Sequence, residues 1–260
     1  MVLRVDGRPR ELSGDKYRDI FDCVDIYSQP ALDHPLLQNH TIQMVPSSYP
    51  TGASVKFISE SAVTQSSRAQ YSVEARGLYG TQAKLSVYEP LVKANQSSEG
   101  AVYVMNGHDG TFNAIWAGWY VYPQLSGDFR ARLHVAWDHK TKNWWLLFGN
   151  NMQPVGYWPD SLFSSLSGEA SRLVWGGSIK TNPWLPSPPM GSGHFPSEGF
   201  GKAAYVYDIK IVDEHNTLRI PSSRFFTPHV NEHVCYDVAG LVDGVDGVGF
   251  YYGGPGGCNL

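Results

Sequence analysis

The chain has few charged residues, few cysteines and no long apolar run. Charged residues make up 17% of its 260 residues, and 20 Lys and Arg against 24 Asp and Glu leave a net charge of −4. There is therefore no basic excess to neutralise a nucleic-acid backbone. No apolar run approaches the roughly 20 residues that a membrane-spanning helix needs. The sequence predicts neither a nucleic-acid partner nor a membrane partner.

Cysteine is scarce. The chain has 3 cysteines, Cys23, Cys235 and Cys258, and no C-x-x-C pair, which excludes a zinc ribbon and a thioredoxin-type site. Cys235 and Cys258 lie close together near the C-terminus, and a disulfide between them would hold the last strands together. Two unpaired buried thiols are the alternative. No pattern predicts a cofactor.

The composition favours an all-β domain. Hydrophobic residues make up 42%, aromatic residues 13%, and 27 Gly and 17 Pro punctuate the chain. Many short segments alternate or are apolar between turn residues, as is typical of an antiparallel two-sheet β-sandwich of jelly-roll type. The predicted strands are 84–88, 101–105, 112–122, 132–137, 144–148, 172–175, 202–207, 207–212 and 249–252.

Two local predictions concern the middle of the chain. Residues 132–137 and 144–148 are expected to pair as a hairpin across a turn at 138–143. Residues 159–166 have apolar positions that are compatible with a helix.

The chain changes character near residue 50, where Pro46–Gly52 is typical of a linker. We expect residues 1–52 to be a separate N-terminal segment outside the core. A linker is predicted over 53–80, and the main domain over 81–260.

Two motifs contain residues that could carry chemistry. His229, Glu232 and His233 form an H-x-x-E-H pattern, but no later glutamate could supply a third zinc ligand, so we predict no metal site. Glu198 stands in the glycine-rich loop 190–199 just before a predicted strand. A catalytic carboxylate and a solvated loop glutamate both fit that position.

The sequence leaves localisation open. Asn39 and Asn95 head N-x-S/T triplets, so both are candidate glycosylation sites of a secreted protein. Residues 1–6 lack the apolar stretch of a signal peptide. Truncation upstream and an intracellular protein are both compatible with this start.

An ordered set of motifs resembles the plant neprosin family. Residues 22–24, 29–37 and 39–40 are similar to its activation peptide. Eight further motifs are similar to its peptidase domain, and they are Ala117-Gly118-Trp119, Pro123, Gly127-Asp128, Trp144-Trp145, Gly156-Tyr157-Trp158-Pro159, Trp175-Gly176-Gly177, Met190-Gly191-Ser192-Gly193-His194-Phe195-Pro196 and Tyr252-Gly253-Gly254-Pro255-Gly256. The resemblance implies a secreted proline-directed glutamic peptidase, made as a proenzyme. It also implies a sandwich with two catalytic glutamates on its concave face.

This sequence departs from the family at the site. Glu198 matches the second catalytic glutamate, but Trp116 stands where the first is expected. A family stretch between residues 130–137 and Asp138 is also missing. Tryptophan cannot exchange a proton near the working pH, so we expect catalysis to be weakened or lost.

The alternative function is a non-catalytic binding module for proline-rich peptides or cell-wall polymers. Its groove would contain Trp116, Tyr120 and Tyr122, which share one strand face, together with His194. We expect Glu198 and Trp116 to face the same groove, with the N-terminal segment packed over it. A further interpretation is that these aromatic rings only fill the core and bind no ligand. A jelly-roll glycosidase would need two carboxylates, and the sequence nominates only Glu198.

Overall fold

The protein is described by a computed structural model that covers residues 2–3, 26–44, 65–108, 110–122, 143–148, 153–244 and 247–260. No helix among these residues is both long enough and apolar enough to cross a membrane. The strands are β1 (Val2–Leu3), β2 (Gln65–Leu78), β3 (Thr81–Leu85), β4 (Ser97–Asn106), β5 (Asn113–Val121), β6 (Trp144–Phe148), β7 (Gln153–Trp158), β8 (Ala170–Thr181), β9 (Ala204–Val212), β10 (Leu218–Arg219), β11 (Thr227–Val230), β12 (Asp237–Val238), β13 (Val242–Asp243) and β14 (Val248–Gly253). Short 3₁₀ helices occur at Ile26–Ser28, Pro30–Asp33, Pro35–Leu37, Asp160–Leu162, Pro196–Glu198 and Ser223–Phe225.

The described strands form three antiparallel sheets. The first sheet has the order β11-β2-β8-β4-β5. In the second sheet, β9 pairs with β3, β10 and β14, and β14 pairs with β12 and β13. The third sheet has the order β1-β7-β6. The predicted all-β antiparallel sandwich is confirmed, and the small third sheet is an addition to it.

The first and second sheets share one apolar core because their strands alternate in side-chain direction. Tyr71 on β2 and Phe250 on β14 meet edge to face, with ring centroids 4.9 Å apart. Tyr252 on β14 is fully buried beneath Gly100 and Gly177 of the first sheet. The face of the first sheet that carries these contacts is called the core face below.

The linker prediction over 53–80 is wrong for residues 65–78, which form β2, a long strand inside the first sheet. The Ser-rich sequence concealed this strand because several of its buried positions are polar. Ser67 and Ser72, for example, have no exposed surface. Residues 53–64 lie outside the described residues.

Two further expectations concern β6 and the segment after β7. β6 pairs with β7, whereas its predicted partner at 132–137 lies outside the described residues. The helix expected over 159–166 is limited to the 3₁₀ turn Asp160–Leu162. The side-chain oxygen of Asn113 accepts the backbone N–H groups of Ser164 and Ser165 at 2.9 and 2.7 Å, so these groups are held outside a helix.

The disulfide prediction is confirmed. Cys235 and Cys258 are bonded with an S–S distance of 1.98 Å and a Cα–Cα distance of 6.1 Å. The alternative of two unpaired thiols is therefore excluded. The bond ties the residue before Tyr236 to the chain that follows β14.

The N-terminal segment does not stay outside the core as expected. β1 extends the third sheet beside β7, and Ala31 and Ile42 pack against the main core. The hydroxyl of Tyr157 on β7 lies 2.7 Å from Nε2 of His40 and accepts the backbone N–H of Gln43 at 2.8 Å. These contacts place the segment on β7. Docking over the groove stays a prediction.

We expect acid to loosen this segment through His40. Gln43 already donates to the buried Tyr157 oxygen, so the phenol hydrogen is free to bond His40 only while Nε2 is unprotonated. Burial lowers the pKa of His40, so the neutral form is favoured when the segment is docked. Docking is therefore strongest above the ordinary histidine pKa of about 6.5 and weakens as the pH falls through the lowered value.

The measurement is the hydrogen-exchange protection factor of the Gln43 amide between about pH 8 and pH 5. Protection should fall on acidification by the equivalent of about 1 kcal/mol, the usual contribution of one hydrogen bond. In Tyr157→Phe it should be low throughout and lose its pH dependence. His215→Gln, on a distant exposed histidine, is the control and should behave as the wild type. A wild-type protection factor that does not change with pH would refute the role of His40.

Candidate functional site

The first sheet has a second face, turned away from the second sheet, which we call the polar face. On β5, Ile115, Ala117 and Trp119 are buried on the core face, so Trp116 and Tyr120 project from the polar face. Residues paired across neighbouring strands lie on the same face. The register therefore also places Tyr103, Glu99 and Ser178 on the polar face.

Small residues form the floor of this face. Gly118, Ala101 and Gly176 are paired in one row across β5, β4 and β8. A Cβ at Gly118 would lie 2.0 Å from the carbonyl oxygen of Gly100, and φ there is +155°. No larger residue fits at that position. The row leaves a shallow trough between larger side chains on either side.

An aromatic pair lies over the trough at β5. The rings of Trp116 and Tyr120 stand edge to face across Gly118, with centroids 5.5 Å apart and an interplanar angle of 80°. Such a pair contributes about 0.5–1.5 kcal/mol beyond the apolar area that it buries. The contact between the two rings restrains each of them. Both rings are only half-buried, so each still presents part of its surface outward.

A carboxylate lies beside the aromatic pair. Oε1 of Glu99 accepts hydrogen bonds from the hydroxyl of Tyr103, on the same strand, and from the hydroxyl of Ser178 on β8. Burial, the charge of Glu99 and this hydrogen bond raise the pKa of Tyr103 well above its ordinary value. Tyr103 therefore stays protonated and serves as a fixed donor that orients Glu99.

A second polar cluster lies further along the same face. Nε2 of His229 on β11 is 2.8 Å from the Ser72 hydroxyl and 3.0 Å from a guanidinium nitrogen of Arg172. Arg172 also pairs with Glu74 at 3.2 Å. Burial and the charge of Arg172 lower the pKa of His229. Because Ser72 is fully buried and Arg172 donates to the same imidazole nitrogen, this is not a serine nucleophile with a free base.

Glu198 lies in a different place. It ends the 3₁₀ helix Pro196–Glu198, where its carboxylate accepts the backbone N–H of Phe195 at 3.2 Å. Nδ1 of His194 lies 3.0 Å from both of its oxygens, and Nζ of Lys202 lies 3.3 Å from one. Slight desolvation acts to raise the pKa of Glu198, but the hydrogen bonds from His194 and Lys202 outweigh it, and the pKa is lowered.

The structure does not bring Glu198 to Trp116. The loop of Glu198 contacts β14 and leads into β9, both strands of the second sheet. The second sheet covers the core face of the first sheet, and Trp116 projects from the opposite face. The single groove expected for Glu198, His194 and Trp116 is therefore not formed. The local sequence could not predict this, because the position of the loop depends on how the two sheets pack.

Among the described residues the polar face carries two carboxylates, and they are far apart. Glu99 is opposite Ser178, and Glu74 is opposite Arg172, which is six residues earlier on β8. At roughly 3.3 Å per residue the separation along the strand is about 20 Å. Two carboxyl groups perturb each other strongly only within about 4–6 Å, so these two cannot divide an acid role and a base role between them.

The remaining predicted site residues are placed as follows. Tyr122 is half-buried just after β5. Asn39 and Asn95 are exposed in turns, which suits glycosylation, but the modification itself stays a prediction. The H-x-x-E-H residues are not on a helix, because His229 is in β11 and His233 pairs with Asp237 beyond it.

The sequence alone assigned no role to Glu99, Tyr103 or Ser178. The sequence contains only part of the information that would have found this cluster. Glu99 and Tyr103 are four residues apart on one strand and must share a face, but the pairing that brings Ser178 to Glu99 is a property of the sheet order.

Two family models match the chain. The model described as Neprosin matches residues 94–141 and 137–255, and the model described as Neprosin activation peptide matches residues 15–79. The two Neprosin segments overlap at residues 137–141. The activation-peptide match extends beyond residue 52 and includes β2. The chain belongs to the neprosin family.

We predict that Glu198 stabilises its own loop and does not act at the polar face. Because its folded-state pKa is lowered, its contribution is present above the ordinary glutamate pKa and is lost as the pH falls below it. The protection factor of the Phe195 amide should therefore fall on acidification, and in Glu198→Gln it should lose this pH dependence.

The matched control is Glu232→Gln, outside this loop, which should leave exchange at Phe195 unchanged. Peptide binding by Glu198→Gln should equal that of the wild type. Loss of peptide binding in Glu198→Gln, with the fold intact, would contradict this assignment and return Glu198 to the site.

Proposed function

We propose that this member of the neprosin family is a secreted protein that recognises proline-containing peptides on its polar face, with hydrolysis weakened or lost. The observation that carries the proposal is the Trp116–Tyr120 pair beside Glu99. A proline ring is a rigid apolar surface, and proline-rich segments dock between aromatic side chains in other recognition modules.

The chemistry of the described residues supports binding more than hydrolysis. Peptide hydrolysis by carboxyl groups needs one group that activates water and another that donates a proton. On the polar face, Trp116 offers only an N–H donor, and Glu99 has no second carboxyl within reach among the residues that the structure describes. Tyr103 cannot supply the missing acid or base near the working pH, because its pKa is raised.

The disulfide supports the proposed localisation. A bond between Cys235 and Cys258 forms and persists in an oxidising compartment, such as the secretory pathway or the cell exterior. The exposed Asn39 and Asn95 triplets are compatible with the same route.

The test of recognition is calorimetric titration of the full chain with a proline-rich peptide and with the same peptide carrying alanine for proline. The wild type should prefer the proline peptide, and Trp116→Ala should bind it at least about tenfold more weakly, as expected for an aromatic anchor. Trp184→Ala is the matched control, because Trp184 is an exposed tryptophan outside the polar face. Equal affinity for the two peptides would refute proline recognition. Binding of a soluble cell-wall polysaccharide in place of the peptide would favour the alternative ligand.

The test of hydrolysis is acid treatment followed by incubation with the proline peptide and mass spectrometry of the products. We expect cleavage after proline to be weak or undetectable. Robust cleavage would overturn the proposed loss of catalysis. Comparison of Glu99→Gln with Glu198→Gln would then show which carboxylate had taken over the reaction.

A further inference from the structure

Glu99 is held in place by one oxygen only. Both hydroxyl donors, from Tyr103 and Ser178, bond to Oε1. Within the described part of the chain Oε2 takes no hydrogen bond, and it is not among the polar atoms that are buried without a partner. Oε2 is therefore an oriented acceptor that remains open to a ligand.

Glu99 forms no ion pair within the part of the chain that the structure describes. Its two hydrogen-bond partners are neutral hydroxyls. The nearest basic residues by register are Lys180, diagonal to Glu99 on the neighbouring strand β8, and Arg68, which is opposite Ser178 on β2 and thus two strands away, about 10 Å at the usual strand spacing. An oriented carboxylate with one open oxygen and no ion-pair partner among the described residues favours an incoming positive group.

Glu99 also has a defined position relative to the aromatic pair. It is paired with Tyr120, so the two side chains are direct cross-strand neighbours. A proline ring packed against Trp116 and Tyr120 would place the adjacent side chain of the peptide close to Oε2. The faces of Tyr120 and Tyr103 would add a cation–π contribution for a positive side chain.

We propose that Glu99 is a specificity residue that selects peptides with a lysine or arginine next to proline. The inference rests on the proposed function, since it assumes that the aromatic pair holds proline. Oε1 fixes the carboxylate, and Oε2 receives the ammonium or guanidinium group.

The test compares three otherwise identical short peptides, in which proline is followed by lysine, glutamine or glutamate, by calorimetric titration of the full chain. The lysine peptide should bind about tenfold more tightly than the glutamine peptide, a difference of about 1.4 kcal/mol. The glutamate peptide should bind most weakly. The lysine advantage should shrink as ionic strength rises, because the interaction is electrostatic.

Glu99→Gln should remove the lysine advantage while its amide oxygen still accepts from Tyr103 and Ser178. The matched control is Glu74→Gln, a carboxylate on the same face that already pairs with Arg172, and it should keep the lysine advantage. Equal binding of the three peptides by the wild type would overturn the role of Glu99 and leave proline recognition standing. If a peptide with alanine for proline binds as well as each of them, the proposed function itself fails. If Glu99→Gln does not fold, the salt dependence of the lysine advantage in the wild type still tests the role of Glu99.

Discussion

The burial of Tyr252 between the two large sheets is the constraint on which the arrangement of the site depends. A Cβ at Gly100 would lie 2.1 Å from the Tyr252 hydroxyl oxygen, and a Cβ at Gly177 would lie 2.6 Å from its ring. The ring fits only where the first sheet has no side chains. Because side chains alternate along a strand, fixing Gly100 and Gly177 on the core face fixes Glu99, Ala101, Ser178 and Gly176 on the polar face. A slip of one residue in β4 would turn Glu99 to the core face and move the buried side chains of that strand to the polar face.

The same packing explains why the polar face and the loop of Glu198 are separate. The second sheet occupies the core face, and the Glu198 loop is attached to that sheet through β9 and β14. Its carboxylate is used within the loop, where it accepts from Phe195, His194 and Lys202. A short glycine-rich segment needs such internal hydrogen bonds, because a single 3₁₀ turn leaves most of its backbone groups unpaired. Glu198 thus has a structural role that does not require the polar face.

The sequence was informative where side-chain periodicity reports burial directly. The apolar run 101–105, the aromatic-rich segment 112–122 and the segment 249–252 predicted β4, β5 and β14. The two-residue period of a strand placed Trp116 and Tyr120 on one face. β2 was missed because its buried serines hide the periodicity. The position of Glu198 could not be derived, since it depends on which sheet the loop follows. The pairing of Glu99 with Ser178 depends on the order β8-β4-β5, and that order is a property of the whole sheet.

The described groups of the polar face support the proposal of recognition over hydrolysis. An ionised carboxylate only accepts hydrogen bonds, and two hydroxyl donors match that form of Glu99. The neighbouring Tyr103 keeps its proton because burial and the charge of Glu99 raise its pKa. Trp116 contributes ring surface and an N–H group that does not titrate. Neither neighbour exchanges a proton near neutral pH, so the described residues supply shape, apolar surface and one fixed negative charge. These properties support the proposed role in recognition, since a hydrolase must also move protons during its reaction.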